Sequence, residues 1–161
     1  MQIKILTAGG TIDKVYFDAL SEYSIGDPAA TDLMAQAGVG YEYRIESVLR
    51  KDSLEMDDQD RQKLRAAIEA DDCRHIVITH GTDTLVQTAM SLQGLSGRTI
   101  VLTGAMQPAR FRDTDAHFNL GGAVALSQAM PEGVYIYMNG RVFHPENTVK
   151  NRAAGQFQER N

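Results

Sequence analysis

A three-layer α/β fold on an open, doubly wound, mostly parallel sheet is what this sequence predicts, and two observations carry that expectation. Short apolar runs, partly β-branched, alternate with stretches of helical periodicity along the whole chain. The turns that follow those runs are rich in glycine, hydroxyls and charge. Alternation of this kind implies right-handed βαβ crossovers and a sheet covered on both faces, with any site at the carboxyl ends of the strands.

Taken in order, the strands are expected at 2–7, 43–49, 75–79, 99–103 and 133–138. Pro28 can open a first helix through Ala29-Ala30-Thr31-Asp32-Leu33-Met34-Ala35-Gln36-Ala37, which Gly38 closes. Asp57 and Asp58 suit the start of a second, where acids favour the helix dipole; Leu64, Ala67 and Ile68 form its apolar stripe. A third spans about 84 to 94, with Leu85, Ala89 and Leu92 on one face. A fourth spans about 115 to 129, capped by Asp115 and carrying Phe118, Val124 and Leu126. This is the Rossmann/flavodoxin-like pattern, and at 161 residues the chain is expected to form one domain over 1–161.

Bulk properties narrow the function. A formal net charge of −5 with scattered Lys and Arg argues against a nucleic-acid or anionic-membrane partner, which would be repelled. No apolar run approaches the length of a membrane span, and the start of the chain is too short for a signal-peptide core. Cys73 is alone, so no internal disulfide forms, which fits a reducing, cytoplasmic setting. His75, His80, His117 and His144 lack metal-ligand spacing. No cofactor or metal is expected.

The strand ends carry the chemistry. Thr7-Ala8-Gly9-Gly10-Thr11 follows the first strand and Arg50-Lys51-Asp52-Ser53 the second; Thr79-His80-Gly81-Thr82-Asp83-Thr84 follows the third, and Gly104-Ala105-Met106 the fourth. Gly9-Gly10 matches neither the dinucleotide fingerprint nor the phosphate loop. Paired glycines let the backbone bend and present Thr11, though a plain tight turn explains them equally well. Thr82 and Asp83 reach the start of a helix whose free N–H groups can hold an oxyanion; the bland alternative is a helix cap. His80 reads as a structural hydrogen-bonding residue. Lys150 alone would be a solvated cation, but a threonine nucleophile needs a base and a lysine can supply one. Tyr16 and Tyr23 fall in a long loop after Thr11, the kind that closes over sites as a mobile lid.

Thr7-Ala8-Gly9-Gly10-Thr11-Ile12 and Ile78-Thr79-His80-Gly81-Thr82-Asp83-Thr84 resemble the two threonine signatures of bacterial-type L-asparaginases. The resemblance continues in order through Val101-Leu102-Thr103-Gly104-Ala105-Met106, Asp115-Ala116-His117-Phe118-Asn119-Leu120, Met138-Asn139 and Thr148-Val149-Lys150. It implies an amidohydrolase that splits the side-chain amide of L-asparagine through a threonine acyl-enzyme, with some glutaminase activity open. Thr11 would be the nucleophile, paired with Tyr23. Thr82 and Lys150, supported by Asp83, would form a second hydroxyl–base set. Substrate would contact Gly10, Asp52, Ser53, Gly81, Thr82, Asp83 and Ala105. Two positions depart from the pattern, Leu54 beside Ser53 and Gln107 after Met106. Family members carry a second domain, so this chain is expected as a compact homo-oligomer, a dimer or larger, whose neighbour covers the pocket. The rival expectation is a non-catalytic amino-acid sensor or an inactive relative.

Overall fold

The computed structural model describes all 161 residues. Its β1 (Gln2–Gly9) shows how the sheet divides the core. Side chains alternate along a strand, so Ile3 and Ile5 face one layer while Leu6 and Ala8 face the other. Beyond β1 the chain enters a hairpin, β2 (Lys14–Phe17) against β3 (Glu22–Ile25), before α1 (Ala29–Ala37) and β4 (Glu42–Lys51). Then follow α2 (Asp58–Glu69), β5 (His75–Thr79), α3 (Leu85–Ser91), β6 (Thr99–Thr103), α4 (Ala116–Ala129) and β7 (Gly133–Met138). Three short strands close the chain: β8 (Arg141–Phe143), β9 (Thr148–Asn151) and β10 (Gln156–Glu159).

The main sheet runs β4-β1-β5-β6-β7-β8, parallel throughout except at β7–β8. Helices α1 and α4 cover the face holding Ile3, Ile5, Val77 and Val101, through Leu33, Met34, Leu120 and Ala123. Helices α2 and α3 cover the other, setting Leu64, Ile68, Leu85 and Leu92 against Ile76, Ile78, Ile100 and Leu102. Each of these large side chains contributes about 1.5–3 kcal/mol by leaving water. The expected three-layer, doubly wound architecture is the one observed.

Local chemistry sets the helix ends. Asp57 accepts the Asp60 N–H at 2.9 Å and Asp60 accepts the Asp57 N–H at 3.2 Å, a reciprocal capping box at the start of α2. Gly38 ends α1 as expected. Helix α3 is shorter than the expected 84–94, because the chain leaves helical bonding after Ser91 into a turn. Asp115 stands at the head of α4 but does not cap it. Its carboxylate turns away to accept the N–H groups of Met106 and Gln107 and the Asn119 amide. Phe118, carried on α4, is exposed against Tyr137 rather than buried.

Five strands were not expected. The segment after Thr11 is the β2–β3 hairpin and not an irregular loop, with Tyr16 directly opposite Tyr23 and their ring centroids 5.4 Å apart. Asn139 and Gly140, both with positive φ (53° and 71°), form the tight turn that folds β8 back on β7. Strands β9 and β10 pair only with each other, and the hairpin is fastened by Phe157, which is buried in the core and whose N–H bonds Asn139 Oδ1 at 2.8 Å.

Candidate active site

Between β1 and β4 the chain steps outward, and then it returns past β1 to β5. The winding therefore reverses between β1 and β5, and the carboxyl ends of these two strands are where an open sheet of this kind places its binding crevice. The turn after β1 carries Thr11; the turn after β5 carries Thr82 and Asp83.

Gly10 holds the first turn at φ 84°, followed by a single 3₁₀ turn over Thr11–Asp13. Its N–H donates to the Lys51 carbonyl at 3.0 Å, tying the turn to the end of β4. A Cβ on Gly10 would fall onto the Gly81 backbone, and a Cβ on Gly81 would lie 2.7 Å from Ser53 Oγ. Gly10 and Gly81 are thus packed backbone to backbone with the Ser53 side chain against Gly81, and this contact brings the Thr11 and Thr82 turns together. Thr11 is half-buried and its hydroxyl makes no hydrogen bond within the chain, whereas Ile12 and Asp13 beneath it are buried.

Asp13 locks that turn in place. Its carboxylate accepts the Ala29 N–H at the start of α1 at 2.8 Å, and its carbonyl accepts the Gly26 N–H at 2.8 Å. Burial pushes the Asp13 carboxyl up to about 6.

His80 is fully buried. Nδ1 lies 2.7 Å from the Gly81 carbonyl and Nε2 lies 2.8 Å from Thr88 Oγ1. A carbonyl only accepts, so the proton sits on Nδ1 and Nε2 accepts from the Thr88 hydroxyl. Burial drives the imidazole down to about 4, so it stays neutral and serves the turn as a brace.

Lys150 reaches the same crevice from β9. It is directly opposite buried Phe157 in the β9–β10 register, and cross-strand partners project to one side, so the hairpin directs the amine inward. Its Nζ lies 2.7 Å from Thr82 Oγ1 and 2.8 Å from Asp83 Oδ1. None of the hydroxyls around the start of α3 caps that helix. Thr84 instead donates its hydroxyl to the Ser53 carbonyl at 2.8 Å and its N–H to Ser53 Oγ at 3.3 Å. Ser53 keeps its own hydroxyl proton to donate. Thr82, the Lys150 amine and the Asp83 carboxylate together form a hydroxyl–cation–carboxylate cluster that can exchange a proton and hold an ammonium.

The remaining expected residues sit as follows. Ala105 is buried, between Gly104, which packs against the His80 carbonyl and whose own carbonyl accepts from the Asn119 amide, and Met106, whose N–H donates to Asp115. The Asp52 carboxylate is spent on the turn itself, accepting the Leu54 N–H at 3.0 Å and facing Lys14 at 3.5 Å. Tyr23 is half-exposed on β3, with its ring against Tyr16 and Phe111, and no hydrogen bond joins it to Thr11. Thr84, Arg152, Asp115 and Asn119 were not singled out from sequence for this site. The Asp115–Asn119 spacing of four on a helix, within a segment that shares the family resemblance, was the signal available for that pair.

The family model for the N-terminal domain of asparaginase matches residues 2–158. A glutaminase-asparaginase of Acinetobacter glutaminasificans is 32% identical, over 85% of this chain and 41% of that protein. L-asparaginase 2 of Bacillus subtilis is 30% identical, over 87% of this chain and 41% of that protein. The thermostable L-asparaginase from Thermococcus kodakarensis superposes with a TM-score of 0.86 at 26% identity, over 99% of this chain and 51% of that one. The chain spans about half the length, or less, of the relatives it matches.

Proposed function

The chain belongs to the asparaginase family, matching its N-terminal domain, and from that premise we propose that it hydrolyses the side-chain amide of L-asparagine to L-aspartate and ammonia. The observation that carries this reading is the Lys150 amine, 2.7 Å from the Thr82 hydroxyl and 2.8 Å from the Asp83 carboxylate, across the Gly10–Gly81 contact from Thr11.

Substrate binds with its ammonium on Asp83 and its carboxylate at Ser53, whose hydroxyl proton is free to donate. Thr11 attacks the side-chain carbonyl carbon, and its hydroxyl proton passes to a base as the new C–O bond forms. Tyr23 takes that role if the hairpin swings its hydroxyl toward Thr11. Backbone N–H groups around Thr82 receive the charge on the carbonyl oxygen. The C–N bond then breaks as the base passes the proton taken from Thr11 to the nitrogen, and ammonia leaves an aspartyl ester on Thr11. Water attacks that ester, and its proton is relayed by Thr82 and the Lys150 ammonium, which gives up one proton as it takes another, to the Thr11 oxygen; the C–O bond to Thr11 breaks, its hydroxyl is restored and aspartate departs.

The mechanism needs no cofactor. A lone buried thiol fits a cytoplasmic setting. A second copy lying over the open crevice would exclude water and complete the site, as a homo-oligomer. Glutamine differs by one methylene, worth about 1–3 kcal/mol of discrimination, so slower glutaminase turnover is part of the reading. The test is ammonia release from L-asparagine, with and without Thr11→Ala and Thr82→Ala. Near-normal rates in both variants overturn it.

A further inference from the structure

Asp83 has one carboxylate and two cations. Lys150 Nζ lies 2.8 Å from Oδ1, and Arg152 Nε lies 3.6 Å from the same oxygen. The two are held differently. The Lys150 side chain is 15% exposed and also donates to Thr82, which fixes it in the crevice. Arg152 stands in the turn joining β9 to β10; its side chain is 67% exposed and its guanidinium makes no hydrogen bond, so this ion pair is its only tie.

An amino-acid ammonium arriving at Asp83 would be a third positive charge on one carboxylate. Like charges this close repel, and the cation with least to lose is the exposed one at the longer distance. Displaced from Asp83, the guanidinium remains at the mouth of the crevice. The nearest anion is then the incoming molecule's own α-carboxylate, bonded to the carbon that bears the ammonium, so only a short swing is needed. The opposite wall leaves this carboxylate under-served. Ser53 is buried and offers a single hydroxyl proton, Asp52 is committed to the turn and repels anions, and Leu54 is exposed and apolar. A planar guanidinium suits a carboxylate in two-point contact.

We propose that Arg152 is a specificity-determining residue that leaves Asp83 when the substrate ammonium binds there and takes the substrate's α-carboxylate. The exchange restricts the site to amides that carry both groups on one carbon. It rests on the amino-acid amide reading given above.

The test is titration calorimetry on the turnover-blocked Thr11→Ala protein with two probes: L-asparagine, and 3-aminopropanamide, which keeps the amine and the amide but lacks the carboxylate. Adding Arg152→Gln weakens L-asparagine about tenfold or more, the scale of one lost charge-assisted contact. The same change leaves 3-aminopropanamide equal or tighter, because a competitor for Asp83 is gone, and Arg152→Lys recovers part of the asparagine affinity. Equal weakening of both probes, or unchanged asparagine binding, overturns the assignment. If Thr11→Ala with Arg152 intact does not bind L-asparagine, this inference and the function both fall. If it binds while the unmodified protein releases no ammonia, the hydrolase reading falls and the Arg152 assignment stands.

Discussion

Lys150 Nζ lies 2.7 Å from Thr82 Oγ1 although 68 residues separate them in the chain. The contact joins the end of β5 to a hairpin outside the main sheet, and no local rule of sequence spacing produces it.

Lys150→Met keeps much of the side chain's apolar bulk and removes its amine. A positioned base contributes about 10²–10⁴ in rate, so turnover of L-asparagine is expected to fall by at least about a hundredfold. Steady-state ammonia release measures the loss, and a far-ultraviolet spectrum checks that the fold is kept. A loss smaller than tenfold removes the base role from Lys150 and leaves Thr11 untouched.

Gly10→Ala tests the backbone stack. The added methyl group would enter the Gly81 backbone, and alanine is strained at φ 84°. Strain alone costs about 1–3 kcal/mol, with the clash in addition. The urea midpoint is expected to drop and activity to vanish together. Wild-type stability with full activity would show that the two turns are not in contact.

Asp13 and His80 predict a pH signature of opposite signs. His80 is driven from 6.5 to about 4, so between those values the unfolded chain binds the extra proton, and stability is lost as pH falls. Asp13 is raised from 3.8 to about 6, so in that window the folded chain binds the extra proton, and stability is lost as pH rises. The two contributions offset each other between pH 4 and 6. Asp13→Asn removes one of them, so its stability relative to the parent is expected to improve with rising pH by about 1.4 kcal/mol per unit across that window. His80→Gln shifts in the reverse direction from about pH 6.5 downward. Urea melts at several pH values measure both, and parallel curves for parent and variant refute the assignment for that residue.

Tyr23→Phe separates packing from chemistry. The ring contacts with Tyr16 and Phe111 survive while the hydroxyl is lost. If the hydroxyl shuttles the Thr11 proton, the acylation rate is expected to fall by about tenfold or more with stability within about 0.5 kcal/mol of the parent. An unchanged rate assigns Tyr23 to packing alone.

The elements legible in the sequence are those whose signals are local. Pro28, Gly38 and the apolar spacing between them mark α1 to the residue, and the buried strands β5, β6 and β7 stand out as apolar runs between turns. The hairpin after Thr11 was hidden because both its strands are four residues long and largely exposed, so no buried face imposes a period of two. Strands β8, β9 and β10 are three or four residues long and gain stability only from partners.

By itself the sequence determined the order of the five parallel strands and the four helices, the reversal-prone glycine turns, and which hydroxyls and carboxylates stand at strand ends. These follow from neighbours one to four residues apart, where dihedral preference and apolar period act. Only the tertiary structure decided that Lys150 meets Thr82 and Asp83, that Gly10 rests on Gly81, that Asp115 serves a loop instead of its helix, and that Arg152 shares the Asp83 carboxylate. Those contacts depend on strand order and on burial of residues such as Phe157, which the packed core sets across long separations.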